Sequence, residues 1–170
     1  MESMFDIVKI GDDVLRKECS PVKKIDDSLR LLTSAMLEAL LEVDGVGLAA
    51  PQIGVSEKFF VIDIRDGKKY VFINPEIIET SIEEGPYDEG CLSLPGVYHE
   101  VIRPLRVKIQ AQNEYGKVFT LDADGLLARV IQHENDHLYG HLFIDHLSED
   151  ERNKVVRAYE KKNGIKRKKK

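Results

Sequence analysis

Apolar residues recur at helical spacing in three stretches of the chain and at strand spacing in the stretches between them. From 26 to 43, Leu29, Leu32, Met36, Leu40 and Val43 share one stripe, with Asp26 or Asp27 placed to cap its start and Asp44-Gly45 to stop it. That pattern predicts an ordinary core-facing helix. The signal then changes. Residues 58–64 (KFFVIDI) and 70–73 are β-branched and aromatic, bounded by Asp66-Gly67 and Asn74-Pro75, and predict strands. Over 105–112, Leu105, Val107, Ile109 and Ala111 alternate with Arg106, Lys108, Gln110 and Gln112, giving one buried and one wet face. Asn113-Glu114-Tyr115-Gly116 turns that strand into a partner at 117–121, an antiparallel hairpin.

A second helix is predicted from Asp122 or Asp124 to Tyr139, with Leu126, Val130, His133 and His137 along one face and Gly140 as a C-cap. After Gly140 the run HLFIDHL reads as a strand. A third helix begins at Ser148, whose spacing to Glu151 is that of a capping box, and runs to Asn163-Gly164. Strands grouped between helices predict an α+β fold: antiparallel β-sheets around a central helix, with an N-terminal and a C-terminal helix. A chain of 170 residues fits one compact domain, here 1–164, followed by a basic, disordered tail at 165–170.

Composition narrows the setting. No apolar run approaches a membrane span, and Met1 to Asp6 lack the basic and apolar regions of an export signal, so a cytoplasmic protein without membrane or DNA partners is expected. A reducing compartment leaves Cys19 and Cys91 as thiols, free to act as ligands. Charge is uneven: at 152–170, ten Lys and Arg stand against Glu160, giving +9 and leaving −14 for the rest of a chain whose net charge is −5. Such an end is either a solvated helix terminus matching its own dipole or a handle for an anionic partner such as RNA.

The densest chemistry lies in His133-Glu134-Asn135-Asp136-His137, an H-E-x-x-H run on the second helix. Histidines four apart on a helix point the same way, so both imidazoles can hold one cation while the intervening glutamate reaches an activated water. A catalytic metal needs three protein ligands and one open position. The pattern that supplies a third histidine downstream would place it at 143, which is Phe143; His141 and His146 are out of register and read as surface or structural residues. Upstream, Cys91 stands between Gly90 and the Pro95-Gly96 turn in Glu89-Gly90-Cys91-Leu92-Ser93-Leu94-Pro95-Gly96, a setting that a merely buried cysteine would not need.

Three segments resemble, in order and spacing, the signature motifs of the peptide deformylases: Gly45-Val46-Gly47-Leu48-Ala49-Ala50-Pro51-Gln52, Glu89-Gly90-Cys91-Leu92-Ser93, and Gln132-His133-Glu134-Asn135-Asp136-His137. The likeness spans nearly the whole chain. It implies hydrolysis of the N-formyl group of formylmethionyl nascent polypeptides, releasing formate. Cys91, His133 and His137 would hold one divalent metal ion, with Fe²⁺ favoured by the resemblance and Zn²⁺, Ni²⁺ or Co²⁺ also suited to a thiolate with two imidazoles. Glu134 would carry the proton. The resemblance makes the Gln52 side-chain amide and the Leu92 backbone N–H the oxyanion donors.

Gly45 and Gly47 permit close approach of an extended substrate, and Val46, Leu126 and Val130 are candidates for an apolar methionine pocket. Glu89 is placed to accept a histidine N–H, and Asp136 to pair with Arg103. One departure stands out: many relatives carry an arginine after the proline of the cysteine motif, where this chain has Val97-Tyr98-His99. The resemblance also implies a contact with the ribosome through the basic C-terminal helix. Two other readings compete, a zinc metalloendopeptidase built on the same helix motif and a structural-metal RNA-binding module with Cys19 as fourth ligand.

Overall fold

The computed structural model describes residues 5–166. Its element order is α1 (Asp27–Glu42), β1 (Gly47–Ala49), β2 (Phe59–Ile62), β3 (Tyr70–Thr80), β4 (Glu84–Cys91), β5 (Leu94–Pro104), β6 (Arg106–Gln112), β7 (Val118–Asp124), α2 (Gly125–His137) and α3 (Glu149–Lys162), with short 3-10 turns at Asp13–Arg16, Ala50–Ile53 and Phe143–His146. Five strands form one antiparallel sheet in the order β1-β2-β3-β6-β7, and β4 pairs with β5 as a separate antiparallel hairpin. The α+β class and the central helix that carries His133 and His137 are as expected. Among the described residues no helix is long and apolar enough to cross a membrane.

Strand alternation explains the layering. On β2, Phe60 and Ile62 face α2 and pack with Phe72, Val107, Ile109, Ala128 and Ile131, while Phe59 and Val61 face α1 and pack with Met36, Leu40, Leu48 and Ile73. Burial on both faces accounts for the unbroken apolar run of that strand. A third cluster joins the β4–β5 hairpin to α3 through Leu94, Val97, Val101, Phe143, Val155 and Tyr159. Helix α2 thus runs between the five-stranded sheet and the hairpin.

The helix ends follow their sequence signals. The Asp26 side chain accepts the Leu29 N–H at the start of α1, and the Ser148 hydroxyl accepts the Glu151 N–H while donating to the Glu151 carboxylate at the start of α3. The hairpin expected at 105–121 forms as β6 and β7, although Leu105 precedes β6 and is exposed instead of facing the core. Two expectations fail. β3 does not stop at Asn74-Pro75 but continues to Thr80 through a register shift between Ile73 and Glu76. Asn74 takes φ 50°, and its side chain accepts the Val22 N–H and donates to the Val22 carbonyl, anchoring the bulge.

The run HLFIDHL is likewise not a strand. It folds as the 3-10 turn Phe143–His146, because the Asp145 carboxylate accepts the Leu142 N–H and holds the chain in a tight turn. At the C-terminus, the Ile165 N–H still bonds to the Glu160 carbonyl beyond α3, and the part of the predicted tail at 167–170 lies outside the described residues.

Candidate metal centre and substrate cleft

Three elements converge on one point. Helix α2 brings His133 and His137, one turn apart, with ring centroids 5.3 Å from each other. The end of β4 brings Cys91, and its Sγ lies 3.5 Å from His137 Nε2. Sγ and one ring nitrogen from each histidine all lie within 4.8 Å of one another. His133 and His137 are buried, and Cys91 is partly so.

The donor set fits a divalent cation. In a tetrahedral shell with bonds of about 2.0–2.3 Å, neighbouring ligand atoms stand about 3.5 Å apart, the spacing of Cys91 Sγ and His137 Nε2. Protonation states agree. Burial by itself would push the Cys91 thiol up, but the neighbouring His137 and His133 outweigh it and hold the group well below the ordinary thiol value, in its thiolate form. Glu89 Oε1 lies 2.9 Å from His133 Nδ1; a carboxylate only accepts, so Nδ1 carries a proton and Nε2 is the nitrogen left for a metal. Burial would lower His133, but Cys91, Glu89 and Glu134 raise it well above its ordinary value, so a bound cation would take the place of the Nε2 proton.

Behind the ligands lies a buried charge network. Arg103 donates to both Glu89 oxygens at 2.7 and 3.1 Å, Arg129 donates to Glu89 Oε2 at 3.1 Å, and Arg103 also reaches Asp136 at 2.9 Å. Asp136 in turn meets His146 Nε2 at 2.8 Å. Burial opposes ionisation of Glu89, but the hydrogen bonds from His133 and Arg103 and their charges lower its pKa to about 2. Both contacts expected of Glu89 and Asp136 are therefore present. Arg129 carries no motif signal of its own; its only trace in the sequence is its place four residues before His133, on the same helix face.

Glu134 lies with its carboxylate against Gly47 of β1. It is 4% exposed, its Oε1 has no hydrogen-bond partner among the described residues, and burial lifts its carboxyl above the ordinary range against the pull of His133 and His137. Such a group is poised to take up a proton. Space for its carboxylate exists because residue 47 is glycine: a Cβ there would stand 2.6 Å from Glu134 Oε2 and 2.8 Å from Val130 Cγ1. Gly47→Ala is expected to displace the carboxylate and lower kcat by roughly 100-fold, the usual cost of misplacing a reacting group by about 1 Å. Steady-state kinetics beside a melting curve checks this; full kcat in the folded variant would contradict it.

Gln52 is 1% exposed and locked. Its Oε1 accepts the Ala49 N–H at 2.9 Å, which fixes the amide so that Nε2 faces Ser93 Oγ at 3.2 Å and Cys91 Sγ at 3.5 Å. A cleft of about 380 Å³ opens over this assembly, lined among others by Gly45, Val46, Gly47, Gln52, Cys91 and Leu92, and further along by Leu126, Val130, His133 and Glu134. Every residue proposed from the sequence for catalysis, substrate or metal is thus at one place, with His137 just beneath the lining. Tyr87, Tyr98 and Arg129 also line the cleft. Nothing in the alternation around Tyr87 and Tyr98 marks them, since both stand in the hairpin that the sequence pattern hides.

Cys19 takes no part. It is buried in the cluster on the sheet side of α2, its backbone N–H bonds to the Leu138 carbonyl, and it lies outside the metal-competent group. His141 and His146 are exposed and likewise outside it, as expected.

Comparisons with known proteins agree with this geometry. The polypeptide deformylase family model matches residues 4–153. A peptide deformylase of Clostridium botulinum is 52% identical over 143 residues, 84% of this chain and 96% of its own length. One from Borreliella burgdorferi is 44% identical over 165 residues, 96% of this chain and all of its own. Among solved structures, a peptide deformylase from Legionella pneumophila superposes with a TM-score of 0.91 at 40% identity, covering 99% of this chain and 100% of that one. A Synechococcus elongatus deformylase in complex with actinonin gives 0.88 at 40% identity, covering 97% and 90%.

Proposed function

This chain belongs to the peptide deformylase family and is a metal-binding hydrolase that removes the N-formyl group from nascent peptides, and on that premise we propose which of its own residues carry the reaction. The single observation that bears most weight is the buried Glu134 carboxylate, one oxygen without a hydrogen-bond partner among the described residues, beside the Cys91, His133 and His137 cluster. Cys91, His133 and His137 would hold one metal ion. When bound, the ion supplies Lewis-acid chemistry, acidifying water at neutral pH and polarising a carbonyl oxygen. Glu134 Oε1 accepts the proton of the attacking water and then delivers it to the leaving methionyl nitrogen, so one carboxyl serves as base and as acid.

The negative charge that grows on the formyl oxygen meets the Gln52 Nε2–H and the Leu92 backbone N–H. The locked amide of Gln52 supports this role, because its donor group is aimed before substrate arrives. Substrate lies extended against Gly45, Val46 and Gly47, where main-chain pairing is indifferent to sequence, and the methionine side chain rests on Val46, Leu126 and Val130. Loss of formyl leaves formate and a free amine.

The thiolate with two imidazoles accepts Fe²⁺, Zn²⁺, Ni²⁺ or Co²⁺, and Fe²⁺ is the ion we assign in the cell. Residues 1–164 form the catalytic domain, the protein works in the cytoplasm, and the basic face of α3 and the tail contact the ribosome, where formylated chains emerge. Exposure of Arg157 and Lys161 on α3 supports that contact. Replacement of Gln52 by leucine tests the assignment of the oxyanion donors. With metal content verified as equal, kcat is expected to fall about 100- to 1000-fold. Turnover near that of the unmodified protein would remove Gln52 from the mechanism.

A further inference from the structure

The rim of the cleft contains a segment that its own sheet does not hold. In the β4–β5 hairpin the register runs from Glu84↔Pro104 to Gly90↔Tyr98 and then jumps to Cys91↔Leu94, so Pro95, Gly96 and Val97 have no partner on β4. These three residues, with Tyr98, line the substrate cleft on one side. On the other side Gly96, Val97 and Tyr98 face Lys154, Val155, Ala158 and Lys162 of α3.

The carbonyls of the bulge go to α3. Lys162 Nζ donates to the Gly96 carbonyl at 2.6 Å, and Asn163 Nδ2 donates to the Pro95 carbonyl at 3.2 Å while also meeting the Tyr159 carbonyl at 2.9 Å. The second bond ties Asn163 to its own helix, so the bulge is referenced to α3 as a body. The Lys162 stem passes over Gly96, where a Cβ would meet its Cδ at 3.4 Å, and φ of +86° suits glycine at that point. Val97 is buried in one apolar cluster with Val155 and Tyr159, and His99 Nε2 lies 3.1 Å from Glu151 near the other end of α3.

We propose that Lys162 and Asn163 are positioning residues for substrate: the C-terminal end of α3 clamps the Pro95-Gly96 bulge and so fixes the cleft wall that receives the peptide beyond its formylmethionine. This rests on the deformylase reading of the cleft. The clamp touches neither the metal ligands nor Glu134, Gln52 or Leu92, so its effect falls on binding of the extended chain and not on the chemical step. It separates substrates by length.

The test compares the metal-loaded protein with the Lys162→Ala/Asn163→Ala double variant on two substrates, N-formylmethionine amide and a formylmethionyl hexapeptide. The clamp predicts a KM for the hexapeptide raised about 3- to 10-fold, the scale of one or two lost hydrogen bonds, with kcat held. It predicts no change in either constant for the amide, and recovery of the hexapeptide KM in Lys162→Arg/Asn163, where stem and donor are kept. An unchanged hexapeptide KM in the folded double variant would overturn the proposal. So would equal losses on both substrates accompanied by a lower melting temperature, which is the mark of a purely structural tie. Turnover of the amide by the unmodified protein tests the deformylase reading separately.

Discussion

Glu134→Gln is expected to lower kcat for deformylation by roughly 100- to 10,000-fold while leaving metal content and KM near their original values. The range is that of a single positioned proton carrier. Glutamine keeps the volume in the slot beside Gly47 but cannot accept and return a proton. The substitution should not weaken the fold. Burial raises the Glu134 pKa, so the ionised carboxylate is disfavoured by folding and its contribution to stability falls as pH rises above the ordinary value of 4.5. At neutral pH the metal-free Glu134→Gln protein is therefore expected to melt no lower than the unmodified chain. Loss of turnover joined to equal or better stability is a pairing that a damaged fold does not produce. Thermal unfolding beside steady-state kinetics reads both, and a lower melting temperature with modest loss of kcat would place Glu134 among the structural carboxylates instead.

The second large effect concerns Glu89, which touches no substrate. Its two oxygens hold His133, Arg103 and Arg129, all of them buried. Glu89→Ala leaves the buried Arg129 guanidinium with only the Val101 and Gly85 carbonyls and Arg103 with Asp136 alone, and removal of one partner from a buried ion pair typically costs about 3–5 kcal/mol. For a chain of this size that corresponds to a fall in melting temperature of about 6 to 20 °C. Metal affinity should drop as well, by about 10- to 100-fold, because His133 loses the acceptor that fixes its tautomer. The same group sets a pH dependence. Its folded-state pKa of about 2 lies below the ordinary 4.5, so its stabilisation is complete above about pH 4.5 and is lost as pH falls through about 2. Glu89→Ala should remove that part of the acid dependence. A variant that melts within a degree or two of the original would show the network to be of little weight.

The sequence made some elements legible because local chemistry decides them. Asp26 and Ser148 cap their helices with their own side chains, and the alternation of Val107, Ile109 and Ala111 was enough to orient β6. The β4–β5 hairpin was hidden because Gly85, Pro86, Gly90, Pro95 and Gly96 break any alternation, and its burial comes from α2 and α3, which no local window contains. Leu142, Phe143 and Ile144 read as a strand because all three are apolar; all are in fact buried in a turn closed by Asp145. The site was legible where spacing on one helix dictates geometry, as for His133, Glu134 and His137. Gln52 became readable only with the family resemblance, and Cys91 only from its glycine and Pro-Gly setting once no downstream ligand fitted, since they stand 81 and 42 residues before His133 and meet it through tertiary packing alone. Arg129 was missed because a buried arginine looks like a surface one until its carboxylate partner, 40 residues away, is brought beside it.

The central claim is that this cleft hydrolyses a formamide and not a peptide bond. The measurement that tests it most directly follows formate and new amine together, using anaerobically prepared Fe²⁺ protein, a formylmethionyl peptide and the same peptide without its formyl group. The account predicts one free amine for each formate released, and no cleavage within either peptide. No formate from folded, metal-loaded protein, or cleavage of the unformylated peptide, would contradict it.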